Sequence, residues 1–145
     1  MRIFRTKRKR SSSPSRQARR GKVEWIRDDS IKERVLRLVI ALEIDWVIPD
    51  LVHTYKSYNS SSNAIARIWG LNKVWQMALE HEPSYILEVI SERFDTLSER
   101  DKDEVILHEL AHIPRNFSGA LMAHSHSKGA FHDKLDKFIK DYKKK

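Results

Sequence analysis

The chain has 145 residues, 40% of them hydrophobic, which suits one domain with one core and leaves no room for a large second one. It has no cysteine, which excludes a disulfide, a thiolate metal site and a cysteine nucleophile, so any metal must rest on His, Asp or Glu. The net charge of +8 is unevenly spread: residues 1–22 hold ten of the 28 basic residues and none of the 20 acidic ones, which leaves 18 against 20, or −2, for the remainder.

Residues 1–22 contain Lys7, Arg8, Lys9 and Arg10, a serine and proline run from Ser11 to Ser15, and Arg19 and Arg20. So few apolar residues do not offset the entropy of ordering, and a disordered basic tail is expected. Two readings of it stay open: a sequence-independent grip on nucleic acid phosphates through those cations, or a solvated tail with no specific partner. No apolar run approaches the length of a membrane span, and the first residues carry charge where a secretory signal needs an apolar stretch. A cytoplasmic protein without a membrane partner is therefore expected.

Residues 23–145 are expected to form the folded domain. Ser30 with Glu33 reads as a capping box, and Ile31, Val35, Leu38, Val39 and Leu42 recur at helical spacing to about Ile44, predicting a scaffold helix. Leu51 to Tyr58 has a strand composition and is followed by the polar break Asn59 to Asn63. Ala64 to Leu71 then reads as the second strand of a hairpin, with Gly70 as a bulge or bend, while Lys73 to Leu79 fits either a strand or a short helix. Tyr85 to Ile90 is a further strand, a candidate edge for holding an extended peptide. Trp69 and Trp75 are expected to pack inward, and His53 and His81 to be structural or surface residues.

Ser98 followed by Asp101 predicts an N-cap with an acidic third position, and Val105, Ile106, Leu110 and Ile113 supply an apolar stripe. On the helix so predicted, His108 and His112 lie four apart with Glu109 beside the first, the H-E-x-x-H arrangement of zinc-dependent peptidases. That spacing puts both imidazoles on one face, one turn apart, where they can share a Zn²⁺, while Glu109 is near enough to act as the general base. Pro114 stops the helix just after His112 and lets the chain turn.

A catalytic zinc keeps three protein ligands and an open position. No glutamate follows Glu109, so the third ligand must come from His124, His126 or His132, with Asp133 as an outside option. His124 and His126 are separated by one residue, and in an extended segment one is expected to ligate without the other easily joining it. Phe131, Leu135, Phe138, Ile139 and Tyr142 form the apolar stripe of a closing helix whose far face is lysine-rich and reads as solvated. The fold class is α+β: an N-terminal helix, about three strands in an antiparallel or mixed sheet, the H-E-x-x-H helix and a C-terminal helix.

Several runs between Asn63 and His124 carry a resemblance: Ala64 to Leu71, Val74 to Leu79, Tyr85 to Asp95, His108 to Pro114 and Phe117 to His124. Together they resemble the metallopeptidase family known from archaea, bacteria and phages. The resemblance implies a small zincin, similar in layout to SprT-like peptidases, and implies that His124 completes the metal site. The family more often shows Arg-Pro before this histidine, where Met122 and Ala123 stand here. The function expected is zinc-dependent hydrolysis of peptide bonds in an intracellular protein. The alternative is a nucleic-acid-binding protein with a structural or vestigial metal site.

Overall fold

The computed structural model describes residues 21–124 and 129–145. Most of the basic segment, and His126, therefore lie outside the described residues. The elements are β1 (Glu24–Arg27), α1 (Asp29–Ala41), a 3-10 turn (Pro49–Leu51), β2 (Val52–Tyr58), β3 (Ala66–Gly70), α2 (Lys73–Leu79), β4 (Tyr85–Ile90), α3 (Ser91–Phe94), α4 (Glu99–Ala111) and α5 (Ala130–Lys143). No helix of the described residues is long and apolar enough to cross a membrane.

The expected α+β architecture is present, with a four-stranded mixed sheet in the order β1-β2-β4-β3. Its extra strand, β1, is short and exposed along its whole length, so it carries no burial alternation for a sequence pattern to show. It pairs antiparallel with β2, Glu24 opposite Tyr58 and Arg27 opposite Tyr55. The strand also corrects the start of α1. It delivers Asp28 in an extended conformation, and the Asp28 side chain accepts from the Ile31 amide at 3.0 Å, so Asp28 is the cap and Ser30 lies within the first turn.

The expected hairpin between β2 and β3 does not form. β4 lies between them, parallel to β2 (Val52 opposite Tyr85) and antiparallel to β3 (Ala66 opposite Val89). β4 is the most deeply buried strand, with Tyr85, Leu87, Glu88, Val89 and Ile90 all enclosed, and it takes an inner place in the sheet between β2 and β3. Lys73–Leu79 resolves as helix α2, capped by Asn72.

Val52, Ala66, Tyr85, Leu87 and Val89 meet Val35, Leu38, Ile106, Leu107 and Leu110 in one core. Trp69 and Trp75 are not part of it, being 50% and 56% exposed. Since Ala66 and Ile68 join the core, strand alternation sends Trp69 to the outer face, where its indole N–H donates to the buried Glu88 at 3.0 Å. Trp75 lies on α2, whose one buried residue is Gln76.

α4 is held in register by a buried charge. Asp103, 4% exposed, accepts from Arg34 at 2.6 Å and Arg37 at 2.7 Å, both on α1, and from the Tyr142 hydroxyl of α5 at 2.8 Å. Burial pushes the Asp103 carboxyl up, but the bonds from Arg37, Arg34 and Tyr142 outweigh it, and the group sits below the ordinary carboxylate value. Asp103→Asn should therefore cost roughly 3 kcal/mol in denaturant unfolding, because Arg34 loses its buried counter-charge. With the folded pKa depressed, the stabilisation is complete above about pH 4 and fades as pH falls through the depressed value, so the variant should lose less stability on that acid limb than the wild type. An unchanged midpoint and acid limb would show the network to be idle.

Candidate metal centre

Helix α4 begins where Ser98 accepts from the Asp101 amide at 3.1 Å, and it ends with His112 as its C-cap residue. His108 and His112 thus project from the last turns of a helix whose Ile106, Leu107, Leu110 and Ala111 are locked in the core. Pro114 follows, and the chain reverses through Phe117 and Gly119, both with positive φ (48° and 89°).

Two buried groups pin this reversal. The Tyr85 hydroxyl accepts from the Gly119 amide at 2.8 Å and donates to the Ala120 carbonyl at 2.9 Å, while Gln76 Nε2 donates to the carbonyls of Ser118 (2.8 Å) and Leu71 (2.7 Å). The approach is so close that a Cβ on Gly119 would stand 2.2 Å from the Leu71 carbonyl oxygen, and one on Gly70 would stand 2.1 Å from the Gly119 oxygen.

The returning segment is then clamped to His112 twice. The Met122 amide donates to the His112 carbonyl at 2.7 Å, and His112 Nδ1 lies 2.6 Å from the Met122 carbonyl, to which it donates. Donation from Nδ1 leaves Nε2 with its lone pair free and orients the ring. Two residues on, His124 reaches the pair: its Nε2 is 2.9 Å from His108 Nε2, and its ring centroid is 4.4 Å from that of His112.

One nitrogen from each of His108, His112 and His124 lies within 4.8 Å of the others. Three ligands of a tetrahedral zinc, each at about 2.0–2.1 Å from the metal, would sit roughly 3.4 Å apart, so small ring adjustments complete the geometry. Burial, then the neighbouring His112, His124 and His132 rings, pushes His108 down to about 4, and burial also lowers His112 despite the opposing bond to Met122. Both rings are thus neutral near pH 7, ready to bind a metal without losing a proton. The donor set of three imidazoles fits a zinc-like cation.

Glu109 faces the same place. It is 8% exposed, its carboxylate has no hydrogen bond or ion pair among the described residues, and burial alone pushes that carboxyl up to about 7. Two clefts meet at it, of about 610 Å³ on one side and about 560 Å³ on the other. Both are walled by Ala66 of β3, which makes β3 the edge strand beside the site. Tyr85–Ile90, the strand expected to be that edge, is central instead.

Of the other sequence candidates, His132 and the exposed Asp133 lie on α5 outside the triad, and His126 lies outside the described residues. His53 and His81 line a separate cleft beside Trp69. Sequence reading missed Phe131 as the floor of the site: it is 2% exposed, and its ring stacks on His112 at 4.4 Å and meets His124 edge-on at 4.7 Å. Lys134 was missed as well. On a face expected to be solvated it is 7% exposed, donating to the Ile113 carbonyl at 2.6 Å beyond the end of α4 and contacting Met122 Sδ at 3.0 Å. Burial, then Arg115, pushes its amine down to about 8. Each residue read from sequence as one more position of an amphipathic stripe or its far face, with no signal of its own.

The chain matches the family model described as "Putative phage metallopeptidase" over residues 23–142. It belongs to that family. The match takes in every described residue of the metal centre, from the edge strand β3 to Phe131, and it makes a metal-dependent peptidase the class within which this geometry is to be understood. No curated protein and no solved structure gives a significant match.

If the reversal positions His124, Gly119→Ala should weaken zinc binding at least about tenfold and destabilise the fold by roughly 2 kcal/mol, through a strained φ and the clash with Leu71. Calorimetric titration with zinc and denaturant unfolding measure the two effects. Wild-type values in both would show that the turn does not need glycine.

Proposed function

We propose that this chain is a zinc peptidase in which His108, His112 and His124 hold the metal and Glu109 is the general base, acting on an intracellular protein. The observation that carries this reading is the return of His124 to His108 and His112 beside a buried Glu109 whose carboxylate has no partner among the described residues. Zinc at this place supplies Lewis-acid chemistry, polarising the scissile carbonyl and making water a usable nucleophile near neutral pH.

The protein's own residues do the rest. An extended peptide can lie along the free edge of β3 by strand addition, which brings one carbonyl over the imidazoles. Glu109 takes the proton of the attacking water and passes it to the leaving amine nitrogen. Burial suits it to both tasks, since a carboxyl held near 7 is a stronger base than an exposed one, and a nearby cation draws it back toward the ionised form. His112 keeps its ligating nitrogen aimed because Met122 occupies the other one. Three donors converge among the described residues, the number a catalytic zinc takes when its fourth position is kept for water.

Glu109→Gln should keep zinc at one per chain and a wild-type fold, while cleavage of an unfolded protein substrate falls by at least about a hundredfold. Chelation should silence the wild type, and added zinc should restore it. Equal cleavage by wild type and variant would contradict the reading.

Nucleic acid is a second, accessory partner on this proposal. The basic residues Lys7, Arg8, Lys9, Arg10, Arg19 and Arg20 lead into β1, whose Trp25 is 57% exposed. Trp25 and Trp69 both donate to Glu88 at 3.0 Å, which holds two exposed indoles on one sheet face with Arg27 and Arg67. Aromatic faces and cations in that arrangement suit single-stranded nucleic acid. Deleting residues 1–22 should weaken binding and flatten its salt dependence. Unchanged affinity would remove this partner.

A further inference from the structure

The two clefts that meet at Glu109 differ in charge. The larger one is walled by the apolar side chains of Ile65, Leu97 and Val105, and Asp101 and Glu104 also line it. Among the described residues the smaller one is lined by no carboxylate other than Glu109, and the Arg67 that borders it is paired with the buried Glu88 at 3.0 Å. We infer that the larger cleft binds the side chain of a lysine or arginine next to the scissile bond, its stem on the apolar wall and its charge on Asp101 and Glu104. This rests on the peptidase reading and names its substrate class.

Helix geometry places the carboxylates. Glu104 precedes His108 by four residues and Asp101 precedes it by seven, so all three share one face of α4, with rises of roughly 6 Å and 10 Å from the metal end. A side chain held beside the scissile carbonyl needs a long unbranched stem to span that distance, and lysine and arginine have one. Leucine fills the apolar part and stops short, while an acidic residue meets like charge. The Asp101 carboxylate is exposed and has no ion pair among the described residues, so a substrate cation meets it unopposed. Glu104 is shared with Arg100 at 3.1 Å and adds less. The buried Glu109 at the inner end of the same cleft marks where the reacting bond lies.

The test is to digest a mixed peptide library with zinc-loaded enzyme and read the cleaved bonds by mass spectrometry. Wild type should show about tenfold enrichment of lysine or arginine at one position adjoining the cut. Asp101→Asn/Glu104→Gln should bring that enrichment to background, and Asp101→Lys/Glu104→Lys should replace it with enrichment of aspartate or glutamate. Alongside, fluorescence anisotropy of zinc-loaded Glu109→Gln should show tighter binding of a lysine-containing peptide than of the same peptide with glutamate there. Cleavage without basic enrichment, or enrichment that survives Asp101→Asn/Glu104→Gln, overturns the inference and leaves the peptidase reading standing. Absence of zinc-dependent cleavage overturns both.

Discussion

Two hydrogen bonds between His112 and Met122 decide where the third imidazole stands. The Met122 amide bonds to the carbonyl of the last helical histidine, and the ring of that same histidine bonds to the Met122 carbonyl. The C-cap residue of the helix thus fixes both its own ring and the segment that returns to it. With Met122 fixed, His124 two residues later falls on the same side and meets His108. The pairing does for the site what a cross-link would do, using backbone groups that had to find partners in any case.

Around this pairing the protein places its least tolerant contacts. Gly70 and Gly119 let β3 and the reversal approach backbone to backbone, with Tyr85 and Gln76 reaching in from neighbouring elements to satisfy the polar groups of the turn. Lys134 bonds the Ile113 carbonyl just past the end of α4, and Phe131 closes the floor under the three rings, so α5 supports the site although it contributes none of the three imidazoles. Asp103 ties α4 to α1 and α5 from the other side. Buried polar groups of this kind add little net stability, but they leave α4 few alternative positions.

What could be read from sequence was what local chemistry determines. Helix α4 was legible because its cap at Ser98, its apolar stripe and its stop at Pro114 all lie within one short stretch. The sheet order was not, because β4 displaces the hairpin by competing for the central place, and that competition is settled by burial across the whole chain. Trp69 went to the outer face because its neighbours Ala66 and Ile68 were taken by the core, a choice of parity that alternation alone leaves open. β1 had no pattern to read, and without it Asp28 could not be recognised as the cap of α1. The preference for His124 came from family resemblance, and the pairing of His112 with Met122 that brings its ring to His108 is one that no residue pattern encodes.

The Met122 pairing brings His124 to His108 and His112, which makes His124, and not the histidine two residues on, the third zinc ligand to be tested. Zinc affinity of His124→Ala and His126→Ala, measured by competition with a chromophoric chelator, tests it most directly. His124→Ala should weaken zinc binding more than about a hundredfold, while His126→Ala stays within about threefold of wild type. The reverse outcome, with zinc lost on removing His126 and kept on removing His124, would contradict the account.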